Sequence, residues 1–325
     1  MIFRLTTYLC LALVFFAQTI CCGQSKNNNM SQAAQDYIAS FKKGQDFQAP
    51  AKGVYINGQP DPSALETLGK ALAEEDPNVR ENIVFLLVEM GKSTDPLTPR
   101  GAETLRNQRI IEILANAGLA KPDLGREAAM EALRKLCTRK GLVGFDDQFT
   151  NALALEPTEE AFLLVAKAKP QKAKELIERL IKLPRWENLE SAKIAQAALG
   201  DTEEENRFLE AAKQAKDGES LAVAVGPLAL MGTEKAIRFI AENLRSPLVI
   251  EISGHMPGKS VKSVRLNILD ALLYNFPDRP ELYPNNIHDD EGYRAAERFC
   301  MDTLGVVYRN EAPPFLKFGN IPPIN

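Results

Sequence analysis

Apolar residues in this chain return every three or four positions over most of its length and seldom every second one, the spacing of helices buried along one stripe. Ala34, Tyr37, Ile38 and Phe41 share one side of a helix predicted over 31–43. Val54-Tyr55-Ile56 before Asn57-Gly58 reads as a short extended piece ahead of a turn. Asp61-Pro62-Ser63 precedes a helix to about Ala73, where Ser63 and Glu66 stand at capping-box spacing. Asp76 and Pro77 open the next helix, Asp76 as cap and Pro77 in the first turn, where a missing N–H costs nothing. Val79, Ile83, Val84, Leu86, Leu87 and Met90 form its stripe and Gly91 stops it.

The same unit recurs. Helices are predicted over 103–117, 126–139, 147–154, 159–168, 171–182, 188–199, 203–216, 219–231, 234–245, 261–275 and 291–308. Leu248–Ile252 reads as a short strand or buried connector, and polar loops fall at 92–100, 253–260 and 277–290. Leu199-Gly200-Asp201-Thr202-Glu203 with Arg207-Phe208-Leu209 matches Met231-Gly232-Thr233-Glu234 with Arg238-Phe239-Ile240, 31 residues later. Thr202 and Glu205 again have capping-box spacing. A period of this size holds two short helices and two turns. Such a hairpin cannot bury its apolar face alone, whereas a stack of hairpins forms one continuous core. The expected fold is therefore all-α, an α-α superhelix of about five to seven stacked hairpins.

The segment Asp76-Pro77-Asn78-Val79-Arg80 followed by an apolar helix ending at Gly91 resembles the second helix of a HEAT repeat. Lys262-Ser263-Val264-Arg265-Leu266 through Leu273 is a second, looser likeness. The resemblance, to HEAT-repeat-like helical repeat proteins of the exported bacterial kind, extends over 61–309. It implies a HEAT/armadillo-like solenoid and a protein-binding or scaffolding role. It also implies that Asp76 caps its helix and that Arg80 and Arg265 brace neighbouring repeats. Lys262 stands where Pro77 stands in the first copy, so the cap of the second copy is left open.

The N-terminus has another logic. Arg4, an apolar run from Tyr8 to Phe16 and small or polar residues near 17–24 have the layout of a secretory signal peptide over 1–23. The run is about half the roughly 20 residues that span a bilayer. No later stretch is longer, so no transmembrane span is expected in the mature chain. The residues before Cys21 and Cys22 match a lipid-attachment signal poorly, and cleavage without a lipid anchor is expected. The remainder divides into a polar segment with one short helix (24–60), the repeat domain (61–309) and a proline-rich tail (310–325). An exported product, periplasmic, envelope-associated or secreted, keeps Cys137 and Cys300. Several hairpins separate them, too far for a disulfide, and both are expected reduced.

Composition narrows the chemistry. Lys and Arg number 39 against 43 Asp and Glu, a net charge of −4 that lacks the basic footprint of a nucleic-acid binder. There are two histidines, His255 and His288, and one tryptophan. His288-Asp289-Asp290 is the densest ligand cluster, and with His255 it suggests a metal site between the two late loops. The same acids also suit the start of the last helix. Trp186, in an inter-helix turn, either anchors a partner or seals a gap between hairpins. Gly91-Lys92-Ser93-Thr94 lacks the upstream glycine of a phosphate loop. Glu159-Glu160 and Glu203-Glu204-Glu205 sit in first helical turns, where acids are expected. Lys167, Lys169, Lys172 and Lys174 read as a solvated face. The expectation is a monomeric, non-catalytic protein-binding or scaffolding module without a cofactor. A metal-dependent hydrolase or metal-binding protein built at 253–260 and 277–290 is the alternative.

Overall fold

The computed structural model describes residues 31–45, 52–92, 104–252, 260–283 and 290–312. The predicted leader, the loop residues 93–103 and 253–259, and the tail from 313 lie outside the described residues. The fold is predominantly helical. In chain order the helices are α1 (Gln32–Lys42), α2 (Pro62–Glu74), α3 (Pro77–Gly91), α4 (Gln108–Asn116), α5 (Leu124–Leu136), α6 (Asp146–Leu155) and α7 (Glu159–Ala168). There follow α8 (Lys174–Leu180), α9 (Glu190–Ala198), α10 (Thr202–Lys213), α11 (Gly218–Met231), α12 (Glu234–Glu242), α13 (Val264–Asn275) and α14 (Asp290–Leu304). Two short antiparallel ribbons interrupt them: β1 (Tyr55–Ile56) with β2 (Gln59–Pro60), and β3 (Val249–Ile252) with β4 (Ser260–Ser263).

The helices pack in two rows. In one, α1, α3, α5, α7, α9, α11 and α13 each touch the next. The other is formed by α2, α4, α6, α10, α12 and α14, with the 3-10 turn Gln171–Ala173 leading into α8 in the middle. Consecutive helices pair across the rows, so most hairpins lean on their sequence neighbours. The rows share one core, in which Leu68, Leu72, Ile83, Leu86, Leu87, Ile110, Phe149 and Phe162 are fully buried. Each such side chain contributes about 1.5–3 kcal/mol of burial. α7 is covered on several sides, since α5, α6, α9 and α11 all touch it.

Helix starts follow side-chain chemistry, with local departures from the sequence reading. Asp76 caps α3 by accepting from the N–H groups of Asn78 (3.1 Å) and Val79 (3.2 Å). α2 is capped by Asp61, which accepts from Ser63 N–H at 3.0 Å and from the Ser63 hydroxyl at 2.6 Å, so Ser63 serves the cap and is not itself the cap. α10 is likewise capped by Asp201, one residue before Thr202. In both cases an Asp precedes the candidate hydroxyl residue, and its carboxylate is the stronger acceptor. The helix expected from residue 103 begins only at Gln108, because Leu105 pairs with Lys92 in an isolated β-bridge. The 31-residue repeat is visible locally. Gly200 and Gly232 both end helices at positive φ (101° and 51°), Asp201 and Thr233 cap the helices that follow, and Lys235 ion-pairs with Glu205 at 3.1 Å across the two copies.

Candidate functional site

Three arginines on the first row are almost wholly withdrawn from water. Arg80 donates to the carbonyls of Leu72 at the end of α2 and of Gly118 (3.1 Å) after α4, and its Nε lies 2.7 Å from Asp123. Asp123 in turn caps α5 by accepting from the Arg126 N–H at 3.0 Å. Arg126 then reaches the α6 C-terminus, donating to Ala152 O (3.1 Å) and meeting the Glu156 carboxylate (3.0 Å). One chain of cation, cap and carbonyl thus links α2, α4, α5 and α6. Arg265 does the same near the other end. Its Nε donates to Leu244 O at 2.7 Å, and Nη2 lies 3.1 Å from Glu297, which Arg245 also meets at 2.8 Å. Burial lowers the pKa of Arg265 in spite of these partners. Ser263 supplies the cap left open by the sequence, accepting from Arg265 N–H at 3.3 Å. Helix C-termini carry partial negative charge, which is what makes their carbonyls good seats for these cations. Arg126 escaped the sequence reading because it stands three residues after its cap and no proline marks the position.

A second cluster overturns the reading of 167–174 as a solvated face. Lys172 and Lys174 are exposed, but Lys167 is fully buried and Lys169 half-buried. Lys167 Nζ donates to Tyr274 O and lies 3.9 Å above the Tyr274 ring. Lys169 Nζ (3.0 Å) and Arg139 Nη1 (2.6 Å) both donate to Gly232 O, and Arg139 Nη2 reaches Asn275 Oδ1 at 3.2 Å. The C-termini of α11 and α13 are thereby tied to the C-terminal ends of α5 and α7, 63 to 136 residues earlier in the chain. Burial pushes Lys167 down to about 7 and Lys169 to about 8, with Arg139 adding like-charge repulsion to both. Arg134 beside them is ion-paired with Glu160, which accounts for one acid of the Glu159-Glu160 pair.

His255, His288 and Asp289 lie outside the described residues. Asp290 is the exposed first residue of α14, near enough to Arg265 to act on its charge. Among the described residues, no three His, Cys, Asp or Glu side chains converge as a metal site needs. Trp186 is half-buried, with its ring edge-on to Phe162 at 5.8 Å and the Arg185 guanidinium 4.4 Å from it, so it packs between α7 and the turn before α9. Gly91 ends α3 against Leu105 and Ile110, where a Cβ would collide. Cys137 and Cys300 are buried free thiols, pushed up by burial to about 12 and about 11. No helix of the described residues is long and apolar enough to cross a membrane.

A cleft of mainly apolar character, about 550 Å³, lies between α10 and α11. Phe208 and Ala211 of α10 form one wall, and Val223, Ala224 and Pro227 of α11 the other. Val223 is 72% exposed, unusual for an aliphatic residue in mid-helix. Pro227 sits inside α11 and has no N–H to give to the Val223 carbonyl four residues back. Glu190, Asp217 and Glu219 stand on the rim, all exposed. The rim cation, Arg207, is already paired with Glu204 at 2.6 Å and covers the Phe208 ring at 4.2 Å. Sequence reading passed over this place because Val223 lies off the buried stripe; Pro227 within a helical pattern was the available signal. No family model, curated protein or solved structure matches this chain.

Proposed function

We propose that the chain is a non-catalytic scaffold, an exported α-solenoid of the HEAT/armadillo kind that presents its surface to a protein partner. The observation that carries this reading is the stacking of successive hairpins, joined by buried Arg80, Arg126 and Arg265, which spends the large cations on holding helices in register. A rigid stack of this sort holds an exposed surface in fixed shape at little ordering cost on binding. The apolar cleft between α10 and α11 gives that surface a place to engage.

The test is mild cross-linking in the cells that make the protein, comparing the parent chain with Asp290→Asn and repeating both with a chelator. The scaffold reading expects a protein partner in fixed proportion in all arms. A chain recovered as a free monomer, or a complex lost with chelator or with Asp290→Asn, would overturn it. Intact-mass analysis of the mature product checks the expected removal of 1–23.

A further inference from the structure

The α10–α11 cleft has a chemical character that selects its occupant. Its floor is apolar through Phe208, Val223, Ala224 and Pro227, and its rim carries the exposed carboxylates of Glu190, Asp217 and Glu219. Arg207 does not balance them, because its guanidinium is engaged by Glu204 and the Phe208 face. Asp217 caps α11 by accepting from Ser220 N–H at 2.8 Å, and that hydrogen bond is the first cause holding its carboxyl below the usual range. The cleft lining thus carries three carboxylates against one arginine, and that arginine is paired with Glu204. Ser220, Val223, Ala224 and Pro227 follow the i, i+3, i+4, i+7 spacing of one helix face. Glu219 to Pro227 covers about 12 Å along α11, enough for about two turns of a docked helix.

We propose that this cleft binds a short basic amphipathic segment of a protein partner. Two or three of its aliphatic side chains lie against Val223, Pro227 and Phe208. Its Lys or Arg side chains meet Glu190, Asp217 and Glu219. An acidic segment of equal hydrophobicity is disfavoured by the rim, whose carboxylates outnumber its one paired arginine. The proposal rests on the scaffold reading and specifies its surface.

The experiment measures fluorescence anisotropy of two synthetic helical peptides on the full chain. Both carry leucines at i, i+3, i+4 and i+7, with lysines at the remaining positions of one and glutamates in the other. The lysine peptide is expected to bind at least about tenfold more tightly. Val223→Asp is expected to weaken it about tenfold or more by placing a hydrated carboxylate on the apolar floor. The Glu190→Lys, Glu219→Lys double variant is expected to reverse the preference, while Glu203→Lys, Glu210→Lys outside the cleft leaves it unchanged. Circular dichroism and the thermal midpoint check that each variant is folded; because all these positions are exposed, they are expected to match the parent. Equal binding of the two peptides, binding untouched by Val223→Asp, or an equal loss from the outside pair overturns the cleft assignment. Failure here is separable from failure of the scaffold reading. A Val223→Asp chain that keeps its native cross-linked partner removes the cleft and leaves the scaffold, whereas a parent chain without any partner removes both.

Discussion

At the scale of the residue, the informative positions are buried cations. Arg80 satisfies carbonyls from two helix ends and faces Asp123, so its loss strands all three groups at once. Arg80→Met is expected to cost about 3–5 kcal/mol in urea unfolding, the range for removing one partner of a buried pair. Replacing exposed Arg109, paired with Glu112 on its own helix, is expected to change stability by less than about 0.5 kcal/mol. Lys167 makes a pH-dependent prediction. Its pKa falls from 10.5 in the unfolded chain to about 7 when folded, since desolvation outweighs the Tyr274 carbonyl and ring. Between these values the unfolded chain binds more protons, so this group makes the fold more stable as pH rises above 7 and less stable below. A gain of about 1–2 kcal/mol is expected from pH 7 to about 8.5, Lys169 adding in the same sense. Above pH 9 the buried thiols Cys137 and Cys300, raised to about 12 and about 11, work in the opposite direction. Lys167→Met is expected to flatten most of the rise, and denaturant midpoints at stepped pH read it directly.

At the scale of the element, α11 combines features that usually weaken a helix. Pro227 removes a hydrogen bond and Gly226 beside it adds backbone freedom in the unfolded state. Beyond its chain neighbours and its own helix backbone no atom lies within 4 Å of a Gly226 Cβ, but Ala directly before Pro227 is disfavoured in a helix, so Gly226→Ala is expected to change stability by less than about 1 kcal/mol. Gly218 at the start of the same helix is the contrast. A Cβ there would run into the backbone of Val249 on β3, and Gly218→Ala is expected to lower the thermal midpoint by several degrees. The two substitutions are identical in composition, so a calorimetric scan of each isolates the close approach of strand and helix. α11 tolerates its interruption because Leu221, Val225, Leu228 and Met231 are buried among α7, α9 and α13. Packing carries this helix, and propensity contributes little.

At the scale of the whole molecule, the ties from Arg139, Lys167 and Lys169 to the ends of α11 and α13 set it apart from a simple string of hairpins. In a strictly linear stack each unit senses only its neighbours and stability is a sum of adjacent terms. Here Arg139 joins Gly232 and Asn275, at 93 and 136 residues' separation. Arg139→Ala is therefore expected to lower amide-exchange protection in 218–232 and 264–275 as well as in 124–136. Loss confined to 124–136 would show that the ties transmit nothing. Gly232 has no room for a side chain because the Arg139 guanidinium and Asn275 occupy that space. Its sequence match to Gly200, where nothing crowds the Cβ position, conceals the difference.

The helices, most of their ends and the cap at Asp76 were determined by sequence alone, because each depends on neighbours within one or two turns. Arg80 was singled out only through the resemblance of 76–91 to a HEAT repeat, and the 31-residue echo suggested the hairpin unit. Local spacing could not reveal Lys167 as a buried group, since the carbonyl that receives it belongs to Tyr274, 107 residues later. Nor could it reveal the cleft, whose walls come from two helices and whose character depends on Arg207 being already engaged. Periodicity records which face of a helix avoids water; which other helix end or surface meets that face is decided by packing between distant parts of the chain.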